Sequence, residues 1–329
     1  MKKRFFLFLA CLLLLSAAGC GERLGGQELF KLGDQVCTRQ EALVFLMSQK
    51  QKYETAYGSG IWDVKVRDTT FADYMKDNLQ DFLAKLKCMV LMAEQYEVVL
   101  TEEEEAAVAR AAELYLAGIS DEAEAAGIGY EDVEAAFRDY YTADKLMRHL
   151  TADVSGEISE DQARVIVVQQ IFLSTEGLTE EEKTARWNEA AAVWQAAQSG
   201  ADFAVLAGEF NEGEEFELRL ARGESESSFE EAAFSLSSGQ ISGVVETQQG
   251  FHVIKCVSNY EEEETAENKK EIARQQKEDC FHEYYDRFVD TVAARYNEKA
   301  WDQIDYRENF GVPGTDFYEV YGQYFGTAG

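Results

Sequence analysis

The stretch V-V-E-T-Q-Q-G-F-H-V-I-K-C-V, residues 244–257, sets one of the chain's three histidines in the middle of a strand-like run. An imidazole can carry a proton near neutral pH, ligate a metal, or serve as a two-ended hydrogen-bonding node when neutral. Zinc is not indicated: His149, His252 and His282 are far apart, no cysteine stands at metal-site spacing to them, and there is no Cys-x-x-Cys. The many serines lack a nucleophile-elbow motif. Recognition and packing remain open. Strand alternation puts His252, Ile254 and Cys256 on one face, and Val253, Lys255 and Val257 on the other. If that face points inward, both ring nitrogens need partners.

The elements that must position this histidine follow from periodicity. Residues 163–173 are rich in β-branched residues, and 214–220 alternate weakly. Helical stretches are expected over 179–199, 202–209 and 227–236, with a strand over 243–257 that turns at Gln249-Gly250. Together these predict a compact α+β unit over 163–258. Before it, helices are expected over 40–57, opened by Thr38, and over 70–96, 101–117 and 130–150. Thr38 with Glu41, and Thr101 with Glu104, match capping boxes. Leu43, Leu46, Met47 and Tyr53 are the expected apolar stripe of the first helix. A small strand or turn is expected over 30–36, and a polar hinge over 153–161. Residues 261–300 read as a long polar helix, followed by an aromatic tail that holds Pro313, the chain's one proline. The simplest assembly packs this helix and tail on the N-terminal helices, making the α+β unit an insertion.

The N-terminus runs basic (Lys2, Lys3, Arg4), apolar (5–15), then S-A-A-G-C, the order of an export signal. Its apolar run is short for a membrane span. The Ala-Gly-Cys ending resembles a bacterial lipoprotein signal cut before Cys20, which then carries lipid; an ordinary secretory signal is the alternative. Residues 1–19 are thus the expected signal and 20–27 a tether, leaving a body anchored at the outer face of the cell membrane. From Cys20 onward 28 basic residues face 62 acidic ones, a formal charge of −34. That disfavours nucleic acid and broad contact with anionic lipid heads, and suits basic clients. The glutamate runs 102–105 and 261–264 fit exposed helix starts rather than calcium loops. Cys37, Cys88, Cys256 and Cys280 are too scattered for a disulfide scaffold, and whether any pair is left open.

Three segments carry a resemblance. D-F-A-V-L-A (202–207), F-E-E-A-A-F-S-L-S-S-G-Q-I-S (229–242) and V-E-T-Q-Q-G-F-H-V-I-K (245–255) follow, in order, the D-F-A-x-L-A, F-E-x-A-A-F-x-L-x-x-G-x-I-S and V-x-T-x-x-G-x-H-I-I-K patterns of the parvulin peptidyl-prolyl isomerases. The whole layout resembles extracytoplasmic foldases of the PrsA type and, more loosely, SurA. The resemblance implies an α+β parvulin-like domain, an antiparallel sheet with surrounding helices, over 163–258. That domain would be inserted in or attached to a mainly helical chaperone domain, 28–152, on which 261–329 pack. It implies isomerisation of Xaa-Pro bonds in unfolded or partly folded exported polypeptides, with no metal or other cofactor.

By the resemblance, His252 takes the place of the second of two site histidines, as an organiser of the site or as a satisfied core histidine. Gln170 stands where the first histidine is usual, and Thr247 where a hydroxyl can face the imidazole. Phe234 and Phe229 match aromatic positions near the proline bowl, with plain helix-to-sheet packing as the alternative. Ser225 replaces the usual methionine of that bowl. Between Glu209 and Leu218 the chain is shorter than the family's loop, and Glu212 or Glu214 are its candidates for the acidic role. These departures fall on the bowl, so a non-catalytic chaperone or assembly factor on the same frame is the second expectation.

Overall fold

The computed structural model describes residues 24–154 and 157–326. The signal expected over 1–19 and the expected lipid site, Cys20, lie outside the described residues. The described chain divides into two compact units, 157–276 and 24–154 with 277–326.

The first elements are a hairpin, β1 (Glu28–Leu32) and β2 (Gln35–Thr38), and helix α1 (Arg39–Tyr57). A 3-10 turn (Ser59–Asp63) and the small hairpin β3 (Lys65–Val66) and β4 (Thr69–Thr70) lead to α2 (Phe71–Gln95). Then come α3 (Glu102–Gly118), α4 (Ser120–Ala126) and α5 (Tyr130–Leu150). Thr38, Thr70 and Thr101 cap three of these helices by accepting a backbone N–H three residues on, and Glu104 closes a full capping box with Thr101. Glu41 departs from the expected box. Its carboxylate turns into the core and meets Lys87 at 2.8 Å, so α1 starts on the Thr38 hydroxyl alone. Residues 41–48 are all buried, so α1 is a central helix rather than one with a single apolar stripe.

The other unit opens with α6 (Glu160–Ala163), capped by a Ser159–Gln162 box within the stretch expected to be hinge. It continues through β5 (Val165–Ser174), α7 (Glu180–Gln198), α8 (Phe203–Phe210), β6 (Glu217–Ala221), α9 (Ser227–Ser235), β7 (Ile241–Glu246) and β8 (Gly250–Ser258). The strand expected over 243–257 with a turn at Gln249-Gly250 is the pair β7 and β8, joined at 247–249. The sheet order is β6-β5-β8-β7, antiparallel throughout. Ile171, Leu173, Phe251 and Val253 bury one face with residues of α7 and α8, while Ile166, Val168 and Ile254 bury the other with Phe229, Ala233 and Phe234 of α9. Period-two alternation therefore assigns Gln170, Phe172 and His252 to the α9 face.

Helix α10 (Glu262–Val289) ends well before residue 300. The expected helix stops there because 294–296 form β9, which takes the free edge of β1 and completes a sheet β2-β1-β9. Short α11 (Glu298–Trp301) and α12 (Phe317–Phe325) follow, and Phe281, Ile304, Tyr306 and Phe317 join the core of the helical unit.

Candidate functional site

His252 sits on β8, which lies between β5 and β7. The register of β5 against β8 puts Phe172 directly opposite it and Gln170 opposite Ile254. Both ring nitrogens are engaged: Nδ1 lies 3.1 Å from Gln170 Oε1, and Nε2 3.0 Å from Thr247 Oγ1. The Gln170 amide has a fixed sense, because its Nε2 donates to the Glu215 carbonyl at 3.1 Å. Its Oε1 can then only accept, so Nδ1 of His252 carries the proton and Nε2 is left an acceptor; the single proton of the Thr247 hydroxyl has both Nε2 and the Gly250 carbonyl oxygen, at 3.1 Å, within reach. Thr247 Oγ1 in turn accepts from the backbone N–H groups of Gln249 and Gly250, both at 3.3 Å. A continuous run of hydrogen-bond contacts links this turn through Thr247, His252 and Gln170 to the Glu215 carbonyl.

His252 is only 8% exposed. Burial pushes its pKa from 6.5 down to about 4, with nearby Glu226 opposing the shift. It is therefore neutral in ordinary buffers and offers no imidazolium. Phe172 stacks on one ring face with centroids 4.7 Å apart, and Phe229 meets it edge-on at 5.1 Å. Gly250 permits the tight return of the 247–249 turn: a Cβ there would lie 2.1 Å from the Leu173 carbonyl oxygen.

The structure thus gathers His252, Gln170, Thr247 and Phe229 into one cluster. Phe234 lies with Phe229 in the apolar layer between α9 and the sheet. Its buried ring is covered by the guanidinium groups of Arg222 at 4.4 Å and Arg164 at 5.1 Å. Ser225 is half-buried in the turn between β6 and α9, with no hydrogen bond to the cluster. The shortened loop is laid along β5. Asn211 Oδ1 accepts from the Phe172 N–H at 2.9 Å, and the Glu212 N–H donates to the Phe172 carbonyl at 2.8 Å. The Glu212 carboxylate is occupied by Arg186 at 2.7 Å and the Ser174 N–H at 2.8 Å. Glu214 is exposed.

Sequence reasoning missed Phe172, though it had a signal: it lies two residues beyond Gln170 and so shares its face. The Glu215 carbonyl and the Arg186 latch had none, since one is backbone and the other lies 26 residues from its partner. The four described cysteines are free thiols. Among the described residues, no group of three His, Cys, Asp or Glu is set to hold a metal ion, and no helix is long and apolar enough to cross a membrane.

Residues 171–258 match the rotamase family, the PPIC-type PPIASE domain. The chain is 26% identical over 274 residues to the foldase protein PrsA of Caldanaerobacter subterraneus subsp. tengcongensis, covering 78% of this chain and 82% of that one. Among solved structures it is similar to the peptidylprolyl isomerase PrsA of Bacillus cereus, at 22% identity and TM-score 0.38, over 66% of this chain and 81% of that one. It is also similar to a SurA-like chaperone of Campylobacter jejuni, at 12% identity and TM-score 0.30, over 82% of this chain and 98% of that one.

Proposed function

We propose, from the premise that residues 171–258 are a PPIC-type peptidyl-prolyl isomerase domain, that the chain is an extracytoplasmic foldase. It isomerises Xaa-Pro bonds in unfolded exported polypeptides while anchored through lipid on Cys20. The observation that carries this reading is the Thr247–His252–Gln170 chain under the aromatic rings of Phe172 and Phe229.

Rotation about a peptide bond meets a barrier of roughly 18–20 kcal/mol because resonance holds the C–N bond planar. The X-Pro bond is the one whose slow exchange can limit folding. No bond is made or broken, so no proton need move. The planar amide is more dipolar than the twisted one. A site that takes the amide out of water onto apolar surface therefore favours the twisted form, provided its own polar groups are fixed beforehand. Here the run of hydrogen-bond contacts holds the imidazole and its two neighbours in place, and the partly exposed ring of Phe172 offers apolar surface to a prolyl ring.

One observation favours a second reading, a non-catalytic chaperone. The carboxylate best placed in the short loop, Glu212, is tied to Arg186 and offers nothing to a reacting amide. Proline-limited refolding of a denatured client separates the two. An isomerase raises the slow rate at catalytic concentration. A holding chaperone raises only the refolded yield, and at stoichiometric concentration.

A further inference from the structure

Glu226 stands at the N-cap of α9, where an acid ordinarily accepts from the first amides of its own helix, yet its side chain makes no such bond. Both carboxylate oxygens instead accept from the Gln248 N–H in the turn between β7 and β8, at 3.0 and 3.2 Å. Two residues on, the Ser228 hydroxyl donates to the Glu246 carbonyl at 2.7 Å. The start of α9 is thereby pinned to the turn that holds Thr247. Glu226 precedes Phe229 by three residues, and its field reaches His252, where it opposes the effect of burial on the imidazole. The carboxylate is thus fixed at the rim of the cluster, and the residue is exposed to water.

Its donor is a neutral amide, and the basic groups of the flanking elements are committed elsewhere. Arg222, just after β6, pairs with Asp161 at 2.7 Å while it lies over the Phe234 ring. Arg186 of α7 pairs with Glu212 at 2.7 Å and Glu189 at 2.9 Å, and Lys183 with Glu180 at 2.8 Å. On the β5 side, the short loop adds further acid. A Cβ on Gly213 would lie 3.6 Å from Phe172 Cβ and 3.7 Å from Gln170 Nε2, so the loop rests against the cluster. The next two residues, Glu214 and Glu215, are exposed. An apolar seat with a fixed carboxylate at its rim, and guanidinium groups already paired, favours a cation brought by the ligand.

We propose that Glu226 is a specificity-determining residue, and that the segments the cluster acts on are those with lysine or arginine next to the proline. This rests on the reading of the cluster as a prolyl isomerase site. The ammonium or guanidinium meets the rim carboxylate while the prolyl ring lies on the aromatic surface, and an acid beside the proline is repelled. The formal charge of −34 draws basic chains whatever their sequence. Glu226 adds a demand on where in the segment the positive charge stands.

The test is NMR exchange of Lys-Pro, Ala-Pro and Glu-Pro peptides, alike in all else, with residues 22–329. Each rate is taken relative to Ala-Pro in the same variant, so that a general loss cancels. At low salt Lys-Pro is expected to be favoured over Glu-Pro by about tenfold. Glu226→Gln keeps an acceptor for the Gln248 N–H and should lower that ratio by about threefold to fivefold. Glu103→Gln, on exposed α3, removes the same charge far along the chain and should leave the ratio as it was. A ratio unmoved by Glu226→Gln, or moved equally by Glu103→Gln, would overturn the assignment. Equal acceleration of all three peptides would overturn the inference and leave the isomerase standing. Absence of acceleration from a folded sample would remove the isomerase, and the preference is then read as binding, from peptide-induced shifts of the Gln248 and His252 amides. Tighter binding of Lys-Pro than of Glu-Pro, erased by Glu226→Gln, would uphold the selection; equal binding, or none, would overturn it.

Discussion

At the scale of single residues, the neutral imidazole is the decisive feature. A folded pKa of about 4 against the ordinary 6.5 means that the unfolded chain binds the proton first as pH falls. The contribution of His252 to stability is thus fully present above about pH 6.5 and is lost as pH drops toward 4, a swing of about 3 kcal/mol. The stability cost of His252→Gln, measured by chemical denaturation, should shrink by that order between pH 7 and pH 4; a constant cost would contradict burial as the cause. Thr247→Val removes the hydroxyl beside Nε2 and an acceptor for two N–H groups, and should cost about 1–3 kcal/mol. Imidazole nitrogen shifts should report the Nδ1–H tautomer at pH 7, and the other tautomer would break the hydrogen-bond chain as drawn. The partners of His252 were legible because strand alternation and motif matching converge on Gln170 and Thr247. What Gln170 does was not, since its sense depends on a backbone carbonyl in a loop.

At the scale of elements, the helical unit is fastened by a buried ionic cluster. Lys87 of α2 meets Glu41 of α1 at 2.8 Å and Asp139 of α5 at 2.6 Å. Burial works against the Lys87 charge, yet the two carboxylates outweigh it and keep the ammonium protonated. Burial pushes the Glu41 carboxyl up to about 7, against the pull of Lys87. For this acid the folded chain binds the proton first, so its contribution to stability falls as pH rises from its ordinary 4.5 to about 7. Glu41→Gln should flatten the pH dependence of stability across that window. Lys87→Met leaves two buried carboxylates facing each other and should cost about 3–5 kcal/mol at pH 7, read from the denaturation midpoint. A loss below 1 kcal/mol, on the scale of surface pairs, would refute the buried cluster. Glu41 also shows where local rules fail. A glutamate three residues after Thr38 reads as a capping box, but a lysine 46 positions away claims it. The same limit explains the end of α10: the edge of β1 needs a partner strand, and no local pattern at 294–296 announces that demand.

At the scale of the whole molecule, one unit holds the residues that match the PPIC-type domain, 171–258, and the other is a helical unit assembled from two separate stretches of chain, 24–154 and 277–326. The three parvulin-like segments made the domain legible because each is a local pattern. The closure of β1 by β9 and the seating of α12 rest on contacts across more than 170 residues, which periodicity does not encode. The proposed lipid attachment predicts that Cys20→Ser moves the protein from the membrane to the soluble fraction of the producing cells, and unchanged membrane recovery would remove the proposed anchor. The central claim is that a neutral, fixed imidazole under an aromatic wall isomerises Xaa-Pro bonds. Its most direct test is NMR exchange between the cis and trans forms of Ala-Pro and Glu-Pro peptides in the presence of residues 22–329. The account predicts accelerated exchange that is level between pH 5.5 and 8, where His252 does not titrate, and that is lost in folded His252→Ala. Absence of acceleration across a broad peptide set from a folded sample would contradict it and leave the non-catalytic chaperone.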